Sequence, residues 1–115
     1  MPNMKIAISV TASKPGAAFE PRFGRAAAFA IVDTNTGEQQ VVANPAAQSR
    51  GRAGIRAAEF LVRQHVEAGI SGAFGPNAYE VLQASGVRLY QAKSGTVDDL
   101  VASLLKGDLD AAEDA

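Results

Sequence analysis

The chain has 115 residues, 47% hydrophobic and 20% charged, with 11 Lys and Arg against 12 Asp and Glu. That balance excludes a disordered or low-complexity chain and suits one compact domain, expected over residues 1–107 with a flexible acidic tail at 108–115. The absence of cysteine excludes disulfides, thiolate metal sites, a cysteine nucleophile and cysteine-ligated clusters.

In chain order, the β-branched run Ile6–Val10 predicts a buried first strand that Lys14-Pro15-Gly16 keeps from continuing. Ala28–Val32 and Gln40–Ala43 flank Thr34-Asn35-Thr36-Gly37, whose Asn and Gly suit a hairpin turn, and Asn44-Pro45 closes the third strand. From Gly54, residues Ile55, Ala58, Leu61, Val62, His65 and Val66 recur at helical spacing, with Gly69 expected as the left-handed stop. Ile70–Phe74 reads as a fourth strand, Pro76 as the first residue of a second helix ended by Gly86, and Val87–Tyr90 as a fifth strand. Thr96 caps a third helix with Asp98 and Asp99 in its first turn, Leu100, Val101, Leu104 and Leu105 inward, and Gly107 as its stop.

This order, β-β-β-α-β-α-β-α, predicts an α/β fold with a mixed five-stranded sheet covered by helices. If the first strand runs up, the third, fourth and fifth also do. Residues 11–26, 44–53, 75–77 and 92–95 then meet at the carboxyl edge, where open α/β sheets bind ligands. Arg22, Arg25, Arg50 and Arg52 fall in the first two loops, near three helix N-termini whose N–H groups and dipoles also favour anions. The same arginines could instead pair with the acidic C-terminal segment or solvate a loop. Phe23, between two arginines, could floor a pocket; Gly24, Gly54 and Gly75-Pro76-Asn77 could offer close backbone approach and helix-end donors.

Catalytic constellations are thin. His65, the single histidine, reads as a core or boundary residue on the inward stripe of its helix. The serines therefore have no histidine in a carboxyl-edge loop to activate them, and no His/Cys set supports zinc. Residues 21–58 carry a net charge of +3, whereas residues 98–115 carry −5. The overall charge of −1 and pI near 5.7 argue against general nucleic-acid binding. With no run of about 18 apolar residues and no secretory apolar core, the expectation is a cytoplasmic protein without membrane contact.

Arg22-Phe23-Gly24-Arg25-Ala26, Asn44-Pro45-Ala46-Ala47, Gly54-Ile55-Arg56-Ala57-Ala58, Phe74-Gly75-Pro76-Asn77-Ala78-Tyr79-Glu80 and Ser94-Gly95-Thr96-Val97 stand in the order and spacing of one family. Over about residues 4–107 the chain resembles the dinitrogenase iron–molybdenum cofactor biosynthesis family. The resemblance implies a ribonuclease-H-like three-layer fold with helices on both faces of the sheet. It also implies a non-catalytic role in carrying or inserting a metal–sulfur cluster, with Asn44 joining the arginine and glycine positions at the site. Family members commonly carry histidine before the Phe-Gly-Arg motif and in the loop after Asn-Pro-Ala-Ala, where this chain has Arg22 and Gln48-Ser49-Arg50-Gly51-Arg52. That departure speaks against histidine ligation of iron–molybdenum cofactor. It resembles instead the branch that holds a molybdenum–copper sulfide cluster non-covalently.

The expected ligand is accordingly an anionic inorganic cluster, molybdenum–copper sulfide or of iron–molybdenum type, exchanged with a cofactor-donor or acceptor protein. Two other readings stay open: a cofactor-free module that docks an acidic protein, and an enzyme acting on a phosphorylated small molecule, for which no general base is evident. The ribonuclease-H-like fold does not bring nuclease chemistry with it, because Lys5–Val10 lacks a carboxylate.

Overall fold

The computed structural model describes residues 4–47 and 52–112. Its elements in chain order are β1 (Lys5–Val10), a 3-10 turn (Phe23–Arg25), β2 (Ala28–Asp33), β3 (Gln39–Ala43), α1 (Ala53–Arg63), β4 (Ala68–Ser71), α2 (Pro76–Ala84), β5 (Arg88–Gln91), α3 (Val97–Lys106) and β6 (Asp110–Ala111). They form one sheet in the order β3-β2-β1-β4-β5-β6. The β1-β2-β3 meander is antiparallel, whereas β1, β4 and β5 are parallel through the helical crossovers. The mixed α/β class is as expected, and the parallel direction of β1, β4 and β5 puts the ends of these strands at one edge.

Alternation along the strands divides the core into two layers. Ala7, Phe29, Ile31 and Leu89 pack with Ala57, Ala58 and Leu61 of α1 and Ala78 and Leu82 of α2. Ile6, Ile8, Val10, Ala28, Ala30, Val32, Ala68 and Ile70 pack on the opposite face with Val97 and Leu100 of α3. Helices therefore cover both faces.

Several expectations are corrected. Among the described residues the sheet has six strands, not five: β6 pairs antiparallel with β5, Tyr90 opposite Ala111, and Ala112 is buried in the α1/α2 layer, so the packed fold runs beyond residue 107 into the segment expected as a flexible tail. Helix α1 ends earlier than expected because His65 takes the left-handed conformation at φ 60°, with its N–H donating to the Val62 carbonyl and that of Val66 to Leu61. His65 is thus exposed beyond the helix end, not on the inward stripe. Gly69, expected as that stop, lies inside β4. A Cβ there would stand 3.4 Å from Leu89 and 3.7 Å from Phe74, so packing keeps the position small. Phe74 lies past the end of β4, and Leu105, expected inward, is 56% exposed on the flank of α3.

What fixes the carboxyl edge is a clamp on residues 20–22. The Pro21 carbonyl accepts from the N–H groups of Gly72 and Ala73, both at 2.8 Å, and from Ser71 Oγ at 3.2 Å. Ser9 Oγ donates to the Glu20 carbonyl at 2.6 Å and lies 2.9 Å from Ser71 Oγ. Both serines are fully buried, and these contacts satisfy them where they would otherwise be costly. A Cβ on Gly72 would fall 2.6 Å from the Pro21 oxygen, a backbone atom that cannot swing aside.

Two stability predictions follow from these contacts. Gly72→Ala must displace the clamp, and thermal unfolding should show a loss of on the order of 1–3 kcal/mol, a fall in Tm of about 5–15 °C. An unchanged Tm would mean the 20–22 segment moves freely. His65→Gly relieves a left-handed side chain on the surface and should raise Tm by a few degrees, about 0.5–1 kcal/mol, whereas His65→Ala should give no such gain.

Candidate functional site

The clamp delivers the next residues to the sheet edge. Arg22 bridges to Ala73 beside the end of β4, the Phe23 N–H donates to the Ala73 carbonyl at 3.0 Å, and Glu20 Oε2 accepts from the Arg22 N–H at 2.9 Å. Phe23 then drives into the core, with ring centroids 5.3 Å from Phe29 and 5.1 Å from Phe74. It is 2% exposed. The expected pocket floor is therefore an anchor that holds the turn down while Arg22 and Arg25 remain exposed on either side.

Asn44 also works behind the surface. It is buried; its Nδ2 donates to the Ala26 carbonyl at 2.9 Å, and its Oδ1 accepts from the Ala46 N–H at 2.9 Å. The side chain ties the exit of β3 to the end of the 3-10 turn, so its polar atoms are engaged by the protein rather than turned to a ligand. Sequence reading misses Ser9 and Ser71 as site-building residues, because it weighs the serines only as nucleophiles and their role depends on cross-strand register.

Three segments meet in front of this scaffold. A Cβ on Gly24 would stand 3.8 Å from the Gly54 nitrogen, and one on Gly54 3.6 Å from the Ala78 Cβ. The 3-10 turn, the start of α1 and the start of α2 are thus in near contact through their smallest residues. Neither helix start is closed by its own N-cap side chain. Arg52, at the N-cap of α1, makes no capping hydrogen bond, and Gly75, at the N-cap of α2, has no side chain to offer. Gly75 also adopts φ 81° and ψ 153°, a conformation essentially reserved for glycine, before Pro76 at the first helical position and exposed Asn77. Two helix starts, each with the positive end of its dipole, lie side by side.

The third helix does not join them. Thr96 Oγ1 accepts from the Asp99 N–H at 3.1 Å, and Asp98 and Asp99 fill the first turn. Its start is closed and acidic, so the anion-favouring edge comprises two helix starts, not three. Residues 95–98 instead line a groove with Gly16, Ala17 and Ala18.

Arg52 stands exposed at this edge with φ 56° and ψ 17°, a left-handed conformation that costs an arginine on the order of 1 kcal/mol. Arg50 lies outside the described residues. Among the described residues, no group of three or more His, Cys, Asp or Glu is placed to hold a metal ion. With exposed arginines and two helix starts, the edge suits an anion better than a bare cation. Among the described residues, no helix is long and apolar enough to cross a membrane.

Comparison with known proteins agrees with this architecture. The apo form of the orange protein from Desulfovibrio gigas superposes with a TM-score of 0.88 at 33% identity, covering 95% of this chain and 92% of that one. A Thermotoga protein described as a NifB candidate superposes at 0.80, also at 33% identity, covering 94% and 92%. An uncharacterized protein of Methanocaldococcus jannaschii is 29% identical over 110 residues, 93% of this chain and 90% of its own length. The dinitrogenase iron–molybdenum cofactor family matches residues 4–107, nearly the whole described fold, and the chain belongs to that family.

Proposed function

We propose that this protein binds, and passes to or from a protein partner, an anionic molybdenum-containing metal–sulfur cluster, and does so without catalytic turnover. The observation that carries the reading is the paired start of α1 and α2 against Gly24, with Arg22, Arg25 and Arg52 exposed around it. An anion there meets backbone N–H donors, two aligned dipoles and guanidinium groups at once. Gly24 and Gly54 let the three segments close up, and the open space at Gly75, where a Cβ would meet nothing within 4 Å, leaves room for a body larger than a single oxyanion to approach the backbone.

A molybdenum–copper sulfide cluster suits this chemistry better than an iron–molybdenum cofactor held by histidine. Its metals are satisfied by sulfide, and its negative charge is what arginines and helix starts recognise. Arg22 stands where family members commonly carry histidine, and a guanidinium binds an anion but does not ligate a metal. The reading as a binder rather than an enzyme draws support from His65. It follows the C-terminal end of α1, about 16 Å of helix from the Arg52 end, so the chain's single imidazole does not serve this edge as a base.

The deciding experiment is addition of tetrathiomolybdate, with and without copper, to protein purified without chelator. The expected product is a coloured complex that survives desalting and contains molybdenum in fixed ratio to protein, and copper only when copper is supplied. Arg22→Ala with Arg25→Ala should weaken retention about tenfold at low salt and by less at high salt, where the arginine contacts of the unsubstituted protein are already screened, with Tm unchanged within about 2 °C. A colourless, metal-free protein under both conditions would sink the proposal.

A further inference from the structure

We infer that the outer face of α1 is a docking groove for an extended acidic segment of a protein partner, distinct from the cluster edge but touching it at Arg52. The groove is a concavity of about 370 Å³ between α1 and the loop after β3, lined by Pro45, Ala46, Arg52, Arg56, Glu59 and Arg63. The four charged residues are all exposed and recur at the spacing of one helix face. That face is not the one used for packing. Ala57, Ala58 and Leu61 face the core, and Gly54 approaches Ala78 of α2.

The geometry of the stripe points to a peptide. Arg52 and Arg56 are about 6 Å apart along the helix axis, close to the roughly 6.8 Å that separates same-side residues of an extended strand. Arg63 follows about 10 Å further, a span of about three extended residues. Exposed Pro45 borders the groove, with Ala46 buried beneath it, so the groove has a small apolar side on which a peptide backbone can lie. Glu59 decides between classes of polyanion. A nucleic-acid strand presents a phosphate at every step and would set one against the Glu59 carboxylate, whereas a peptide can place a hydroxyl or amide donor there and acids on either side. The chain's net charge of −1 also disfavours a nucleic acid.

The groove deepens the proposed function, since Arg52 belongs to both surfaces. A partner lying along α1 would bring one end of its segment to the mouth of the cluster edge, where a cluster could change hands. Charge complementarity of this kind contributes to association rate and orientation more than to raw affinity.

The test uses the whole protein and a fluorescein-labelled 12-residue peptide, Asp-Ser-Asp-Ser-Ser-Asp twice over, whose acids match the rises between the three arginines and whose fourth residue falls beside Glu59, with a 12-nucleotide poly-U RNA as comparison. Anisotropy titration with amide NMR mapping should show peptide binding that perturbs Ala46 and residues 52–63, weakens steeply with salt, and falls about tenfold in Arg56→Ala with Arg63→Ala. Glu59→Gln should narrow the preference for peptide over RNA. Retention of the tetrathiomolybdate and copper product should be unchanged in the Arg56/Arg63 variant, so failure of the docking surface is read separately from failure of the cluster edge. Absence of peptide binding, shifts confined to other elements, or tighter binding of RNA than of peptide would each overturn the inference.

Discussion

The candidate site depends on the Pro21 carbonyl. One oxygen accepts from two backbone N–H groups and a buried serine hydroxyl of the segment that ends β4, and that segment needs glycine at 72 for the oxygen to come so close. Without it, the loop after β1 would leave the sheet edge as an ordinary exposed connection. With it, the chain is brought down within one residue of the place where Phe23 enters the core and Arg22 is released to solvent. A polar clamp and an apolar anchor, side by side, fix a short turn that has little regular structure of its own.

The same division of labour explains why the motif residues differ so much in exposure. In Arg22-Phe23-Gly24-Arg25 the phenylalanine supplies holding energy, the glycine supplies proximity to Gly54, and only the arginines are available to a ligand. In Asn44-Pro45-Ala46-Ala47, the asparagine is consumed in binding the loop to the end of that turn. A charged edge built on exposed side chains alone would be mobile and heavily screened. Its supports are buried, so the arginines start from fixed Cα positions.

Much of this was legible in the sequence, and the reasons it was differ from element to element. The β-branched first strand, the hairpin turn with Gly37 left-handed, Thr96 as a cap and Gly86 and Gly107 past helix ends are local signals found where local chemistry places them, whereas Asn35 does not take the left-handed conformation its type allows. The end of α1 was not legible: a histidine occupies the left-handed position that glycine usually marks, while Gly69 is small because Leu89 and Phe74 crowd it across the sheet. β6 was hidden for another reason. Two residues beside aspartates carry no alternation, and only the free edge of β5 makes Asp110–Ala111 a strand. The arginines could be assigned to an edge from topology, but the clamp, the burial of Asn44 and the closed start of α3 depend on register and caps that only three dimensions supply.

The contrast among the three helix starts carries the argument from fold to chemistry. All three sit at the carboxyl ends of strands, so topology alone makes them equivalent. Capping makes them different. α3 satisfies its own first turn with Thr96 and places two carboxylates over its dipole, which stabilises the helix and repels an anion. α1 and α2 forgo that stabilisation, one through an arginine held in a left-handed conformation and the other through a glycine in a conformation few residues adopt. Both departures from local preference fall at the single place where two helix starts touch. Local rules broken together at one edge, while kept at the third helix, are the departure from local consistency on which the proposed function of this edge rests.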